Sequence, residues 1–114
     1  MSTVEILIAD PHEFVRRGLI RILAQTHADW RVVGEVATGT AALERGTTLR
    51  PDIAILELSM PGLGGLQVAK QLLQSVPGIR TVILSMYGIL RQVRRAGVNA
   101  YLSKNENPSS PGLK

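Results

Sequence analysis

Short apolar runs alternate with longer stretches of helical periodicity along this chain. "VEILIA" (4–9), "WRVVGEVA" (30–37), the apolar quartet Ile53 to Leu56, "RTVILSM" (80–86) and "NAYLS" (99–103) are predicted strands. Between the first two, "EFVRRGLIRILAQT" (13–26) puts Phe14, Val15, Leu19, Ile22 and Leu23 on one helical stripe. "GTAALERGTTL" (39–49) is a weaker helix with Ala42, Leu43 and Leu49 facing in. "GLQVAKQLLQSV" (65–76) repeats Leu66, Ala69, Leu72 and Leu73 at clear helical spacing, and "GILRQVRRA" (88–96) is a short fourth helix. The quartet from Ile53 is apolar at every position, which suits a strand covered on both faces of a parallel sheet. Strand–helix alternation of this kind predicts an α/β domain with right-handed crossovers.

Composition narrows the picture. A chain of 114 residues with 45% apolar content is one folded domain with a core of modest size. The absence of cysteine excludes a disulfide scaffold and any thiolate zinc site. "MSTVEILIAD" lacks the basic start and long apolar stretch of a signal peptide. No apolar run approaches the ~20 residues of a membrane helix, so a soluble cytoplasmic protein with no membrane partner is expected. The formal charge of +4 is carried mostly by arginine, with Arg16, Arg17 and Arg21 on one predicted helix and Arg91, Arg94 and Arg95 on another. With only one Trp, two Tyr and one Phe there is no stacking platform for single-stranded nucleic acid, and solvated helix faces account for the arginines. The ending "NENPSSPGLK" has Pro108 and Pro111 and no apolar period, giving a domain over 1–104 and a disordered tail over 105–114.

Chemistry gathers at the strand ends. Open parallel sheets bind ligands outside the carboxyl ends of their strands. The first strand delivers Asp10 to that edge, the third Glu57, the fourth Ser85, and Lys104 follows the fifth. Each has an ordinary explanation. Asp10 in "DPHE" has the pattern of a helix N-cap followed by an N1 proline and an N3 glutamate. Ser85 could be a buried hydroxyl bonded to backbone, and Lys104 a solvated loop lysine. His12 and His27 have no partner at metal-ligand spacing. The joint placement of two carboxylates, a hydroxyl and an amine on one edge points instead to a charged site.

The motifs "ILIADPHEFVRRGL", "PDIAILELSMPGLGGL", "TVILSM" and "AGVNAYLSK" occur in order from about Val4 to Lys104. In these the chain resembles the receiver domain of two-component response regulators, within the subgroup that carries a LuxR-type helix-turn-helix output. The resemblance implies a flavodoxin-like, doubly wound sheet of five parallel strands in the order 2-1-3-4-5. It implies no enzyme activity with a catalytic residue of its own, but a phosphoryl group received from a histidine kinase by an aspartate ending the third strand. It further implies a divalent cation held by acids after the first strand, a Ser or Thr and a Lys that bind the phosphoryl group, and an aromatic residue that reports the switch. Ser85, Lys104 and Tyr101 match those last three positions, and "MPGLGG" (60–65) matches the loop after the acceptor.

Three departures bear on the site. Glu57 stands at the phosphoacceptor position, and its extra methylene carries the carboxylate ~1.5 Å deeper than an aspartate would. Pro11 replaces the second acid of the family's pair, so a Mg2+ ion would have only Asp10 and Glu57 and is expected to bind weakly. The helix after Ser85 is about a turn short, and no fifth helix follows Lys104. A degenerate, phosphorylation-independent receiver is therefore expected, in which Glu57 faces Ser85 and Lys104 and imitates a phosphorylated aspartate in part. Its partners would be proteins, a sensor histidine kinase or other regulators, with homodimer formation through a sheet face left open near Val82, Leu84 and Leu102. No direct DNA binding is expected, because the helix-turn-helix is not in the sequence. The alternatives are a receiver phosphorylated on Glu57, or a truncated transcriptional response regulator. A flavodoxin-like cofactor protein would need a phosphate loop where "ADPHEF" stands, and "GEVATGT" (34–40) lacks the lysine of a nucleotide-binding P-loop.

Overall fold

The computed structural model describes residues 3–85 and the backbone of residues 100–103. Within these the order is β1 (Val4–Ala9), α1 (Glu13–Thr26), β2 (Trp30–Val36), α2 (Gly39–Leu49), β3 (Ile53–Glu57), α3 (Gly65–Ser75), β4 (Arg80–Ser85) and β5 (Ala100–Ser103). The strands form one parallel sheet in the order β2-β1-β3-β4-β5, the doubly wound arrangement expected. The predicted helix over 88–96, the missing fifth helix and the tail over 105–114 lie outside the described residues.

Alternation along each central strand feeds two cores. Ile6, Ile8, Ile55 and Leu84 point to one face, where Val15, Leu19, Ile20 and Leu23 of α1 pack on them. Ala9, Ala54, Leu56 and Ile83 point to the other face, against Ala42 of α2 and Val68, Ala69 and Leu72 of α3. Both faces are apolar because helices cover both, which is why β3 shows no polar position before Glu57.

Side chains fix how closely the helices approach. Gly46 of α2 is buried where an added Cβ would meet Leu72 at 2.7 Å, so the absence of a side chain sets the α2–α3 distance. Thr38 caps α2 by accepting from the Ala41 amide, 3.1 Å, and Arg50 closes it in a left-handed conformation at φ 49°. Pro51 follows at once and cannot continue the helix. On β2 the pairing jumps from Ile6↔Val32 to Leu7↔Gly34, leaving Val33 as the extra residue of a bulge.

Two expectations need correction. Phe14 and Ile22 do not belong to the inward stripe of α1; they are 90% and 60% exposed. The inward set is Val15, Leu19, Ile20 and Leu23, a narrower arc than the apolar residues of the helix suggest. Leu84 is 2% exposed and fully part of the α1-side core, so it does not line an open face. It sits on an interior strand between β3 and β5, whereas Val82, toward the amino end of the same strand, is half-buried. The side chain of Leu102 lies outside the described residues.

Core and surface should separate cleanly in stability. Leu72→Ala, at a fully buried position, is expected to lose about 2–5 kcal/mol. Phe14→Ala should stay within about 0.5 kcal/mol of the parent. Urea unfolding midpoints of the two variants provide the check.

Candidate functional site

The strand register brings the acidic residues together. Ala9 pairs with Leu56 and Glu57 with Leu84, so Asp10, Glu57 and Ser85 fall at the carboxyl ends of three adjacent strands. Asp10 is fully buried, Glu57 4% exposed and Ser85 1% exposed. Ser85 pairs along the backbone with Ser103 of β5, and Tyr101 with Ile83. The Tyr101 side chain and all of Lys104 lie outside the described residues.

Asp10 leaves β1 in a tight turn held by its amide, its carbonyl and its Oδ1. Its amide donates to the Val36 carbonyl at 3.0 Å, extending the β1–β2 ladder by one residue. Its Oδ1 accepts from the His12 amide at 2.8 Å, a side-chain turn spanning two residues. The N-cap of α1 is consequently His12, which makes no side-chain cap bond, and Asp10 stands two residues before the position that "DPHE" proposes for it. The His12 ring returns to the same carboxylate, with Nδ1 3.0 Å from Oδ1. Because an ionised carboxylate only accepts, that bond requires the ring proton on Nδ1.

Arg16 holds the turn from behind. Its Nη1 donates to the Asp10 carbonyl at 2.8 Å and its Nε to Glu35 Oε1 on β2, also at 2.8 Å. Arg17 approaches the other Glu35 oxygen at 3.6 Å from a largely exposed position. Arg16 is therefore not part of a solvated arginine face: its side chain is 15% exposed and joins β1, β2 and α1. An arginine suits this place because its planar fork can serve a carbonyl and a carboxylate at once.

Glu57 turns back on its own loop. Its Oε2 accepts from the Ser59 amide at 3.0 Å, while the Leu58 amide donates to the Leu84 carbonyl and the Gly65 amide to the Leu58 carbonyl, each at 2.8 Å. The buried carboxylate is thus held by a backbone donor, the usual condition for keeping such a group inside. Among the described residues no group of three or more His, Cys, Asp or Glu is placed to hold a metal ion.

With this geometry in view, the comparisons with known proteins are specific. The family model described as the response regulator receiver domain matches residues 6–110. The chain belongs to the response regulator receiver domain family. The uncharacterized transcriptional regulatory protein YhcZ of Bacillus subtilis is 38% identical over 108 residues, covering 92% of this chain and 50% of that protein. The response regulator UvrY of Escherichia coli is 32% identical over 108 residues, covering 92% and 49%. The chain thus spans about half the length of the curated relatives it matches. Among solved structures, the signal receiver domain of the putative response regulator NarL from Mycobacterium tuberculosis superposes with a TM-score of 0.86 at 31% identity, covering 94% of this chain and 88% of that one. The sheet order and the alternating helices are those of a receiver.

In this receiver the sequence reading missed three partners. His12 has no ligand-spaced histidine, yet it pairs with Asp10; only its place two residues later signals that. Arg16 looks like one of three helix arginines, and its spacing of three residues from Glu13 says nothing of Glu35. The Ser59 amide is a backbone donor and leaves no trace in side-chain patterns.

The two arginines should differ sharply on substitution. Arg16→Ala is expected to destabilise by about 1–3 kcal/mol, since it strands a half-buried Glu35 and a buried carbonyl. Arg17→Ala should cost about 0.5 kcal/mol or less, as exposed pairs do. Thermal or urea denaturation of both variants, with equal losses counting against the clamp, settles the difference.

Proposed function

We propose that this receiver domain is a signalling module of two-component phosphorelay systems whose pocket has lost phosphoryl transfer, and that it works through protein contacts. The observation that supports this is the state of Glu57. At the acceptor position implied by the family resemblance stands a longer carboxylate, already engaged by the Ser59 amide at 3.0 Å. In-line attack on a phosphodonor needs the oxygen within a few tenths of an ångström of a productive place, and an extra methylene removes it from there.

The donor set supports the same reading. Receiver domains typically bind Mg2+ at the acidic pocket. A magnesium ion demands a near-octahedral shell of oxygens. Here Pro11 takes the place of one acid, Asp10 gives an oxygen to the His12 amide and ring, and Glu57 gives one to Ser59. The residues present do not fit a resident magnesium ion, and no step of the proposed function runs through one.

The charge of Glu57 at the strand-end pocket imitates a phosphorylated aspartate in part, with fewer acceptor oxygens and less charge than an acyl phosphate. Partner recognition then belongs to proteins of the same signalling class, a sensor histidine kinase or another regulator. Direct DNA contact is not assigned to these residues, because every pair of consecutive described helices is separated by a strand.

Incubation with acetyl phosphate and magnesium should leave the intact mass unchanged. A labelled species that disappears in Glu57→Gln would overturn the proposal. The double change Pro11→Asp with Glu57→Asp should restore labelling.

Pairing of Glu57 with Lys104 has its own test. Removing one partner of a buried pair costs roughly 3–5 kcal/mol, whereas replacing both by apolar groups costs far less. Lys104→Met should therefore unfold at lower urea than Lys104→Met combined with Glu57→Leu. Identical midpoints for Lys104→Met and the parent would remove the pair.

A further inference from the structure

We infer that the loop between β3 and α3 is a rigid clasp through which the state of the Glu57 carboxylate is felt at the amino end of α2. The inference concerns the mechanics of the loop and holds whether or not Glu57 ever takes a phosphoryl group.

The loop is fixed at both ends and in its middle by backbone. At its start the Leu58 amide bonds the Leu84 carbonyl, and at its end the Gly65 amide bonds the Leu58 carbonyl. In between, the Pro61 carbonyl accepts from the Gly39 amide at 2.9 Å. Gly39 is the first residue of α2, and its amide is one of those a helix cannot satisfy internally. The loop therefore supplies a bond that the helix needs.

Three glycines make this approach possible. A Cβ on Gly39 would fall on the Leu63 carbonyl, and one on Gly65 on the Glu57 carbonyl. Gly62 has φ 85°, and a Cβ there would strike the Thr40 hydroxyl. At Gly39 and Leu63 loop and helix thus meet main chain to main chain, and at Gly62 the loop lies against the short Thr40 side chain. Met60 and Leu63 add half-buried apolar contact with the core beneath.

The carboxylate enters this assembly through the Ser59 amide, which donates to its Oε2 at 3.0 Å. Whatever loads or removes the Glu57 oxygen must release or tighten that amide. A loop pinned two residues later at Pro61 transmits the change to Gly39. Coupling of this kind is reciprocal, so a change at the α2 end must also reach the carboxylate.

Amide exchange measured by NMR on the whole chain tests both directions. Glu57→Ala removes the acceptor, and the Ser59 and Gly39 amides should both exchange faster, by about three- to tenfold, the range the net worth of one typical hydrogen bond supports. Ile8, deep in β1, serves as the reference for global opening. Glu57→Gln keeps a carbonyl oxygen at the same reach and should return both amides toward their original rates. Acceleration or rescue at Ser59 without Gly39, or no change at either, overturns the clasp. In the reverse direction Gly62→Ala should move the side-chain carboxyl carbon resonance of Glu57, and an unmoved resonance also overturns it. Phosphoryl labelling plays no part in these readouts, so their failure is distinct from failure of the proposed function.

Discussion

A sheet covered by helices on both faces has no room for polar groups except at its rims, and this constraint organises the whole receiver. Ile6, Ile8, Ile55 and Leu84 occupy one side and Ala9, Ala54, Leu56 and Ile83 the other, so that β1 from Ile6, β3 from Ile53 and β4 from Val82 run apolar to the carboxyl edge. Polar chemistry is displaced to the carboxyl ends, where Asp10, Glu57 and Ser85 gather by register alone. A slip of one residue would turn every side chain to the opposite face. The position of the pocket is therefore enforced by the same packing that stabilises the domain.

Placing two carboxylates at a buried rim is costly unless each finds donors. Among the described residues main-chain amides contribute to that need: His12 N–H for Asp10 and Ser59 N–H for Glu57. Arginine enters one step further out, gripping the Asp10 carbonyl and Glu35 rather than the acidic oxygens themselves. The turn after β1 and the loop after β3 are consequently shaped by their acids, and substituting either acid alters backbone as well as charge.

The elements from Val4 to Ser85 were legible to within a residue at each end, because periods of two and 3.6 are enforced by burial on both sheet faces. The sheet order followed from the resemblance and is seen in the pairing. The helix face of α1 was legible only in part: apolar residues at Phe14 and Ile22 extend the stripe, but the sheet receives a narrower arc. Of the site, the strand-end residues Asp10, Glu57 and Ser85 could be placed from sequence, since a strand's end is a sequence feature. Their partners could not. Asp10 looked like a cap because Asp-Pro precedes many helices, whereas here it bonds the amide of the true cap residue, His12. The bond from Ser59 belongs to the backbone, and the reach of Arg16 to Glu35 depends on how α1 lies over β2.

The bulge at Val33 has a consequence for the outer rim of the sheet. β2 is a terminal strand, and a terminal strand with evenly spaced free amides and carbonyls is a template for pairing with another chain. The extra residue between Val32 and Gly34 breaks that even spacing, bends the strand and increases its local twist. A foreign strand laid along β2 could keep its bonds on one side of Val33 or the other, not on both. Edge-to-edge aggregation is thereby discouraged by a single inserted residue, at a place where the helices cannot shield the sheet.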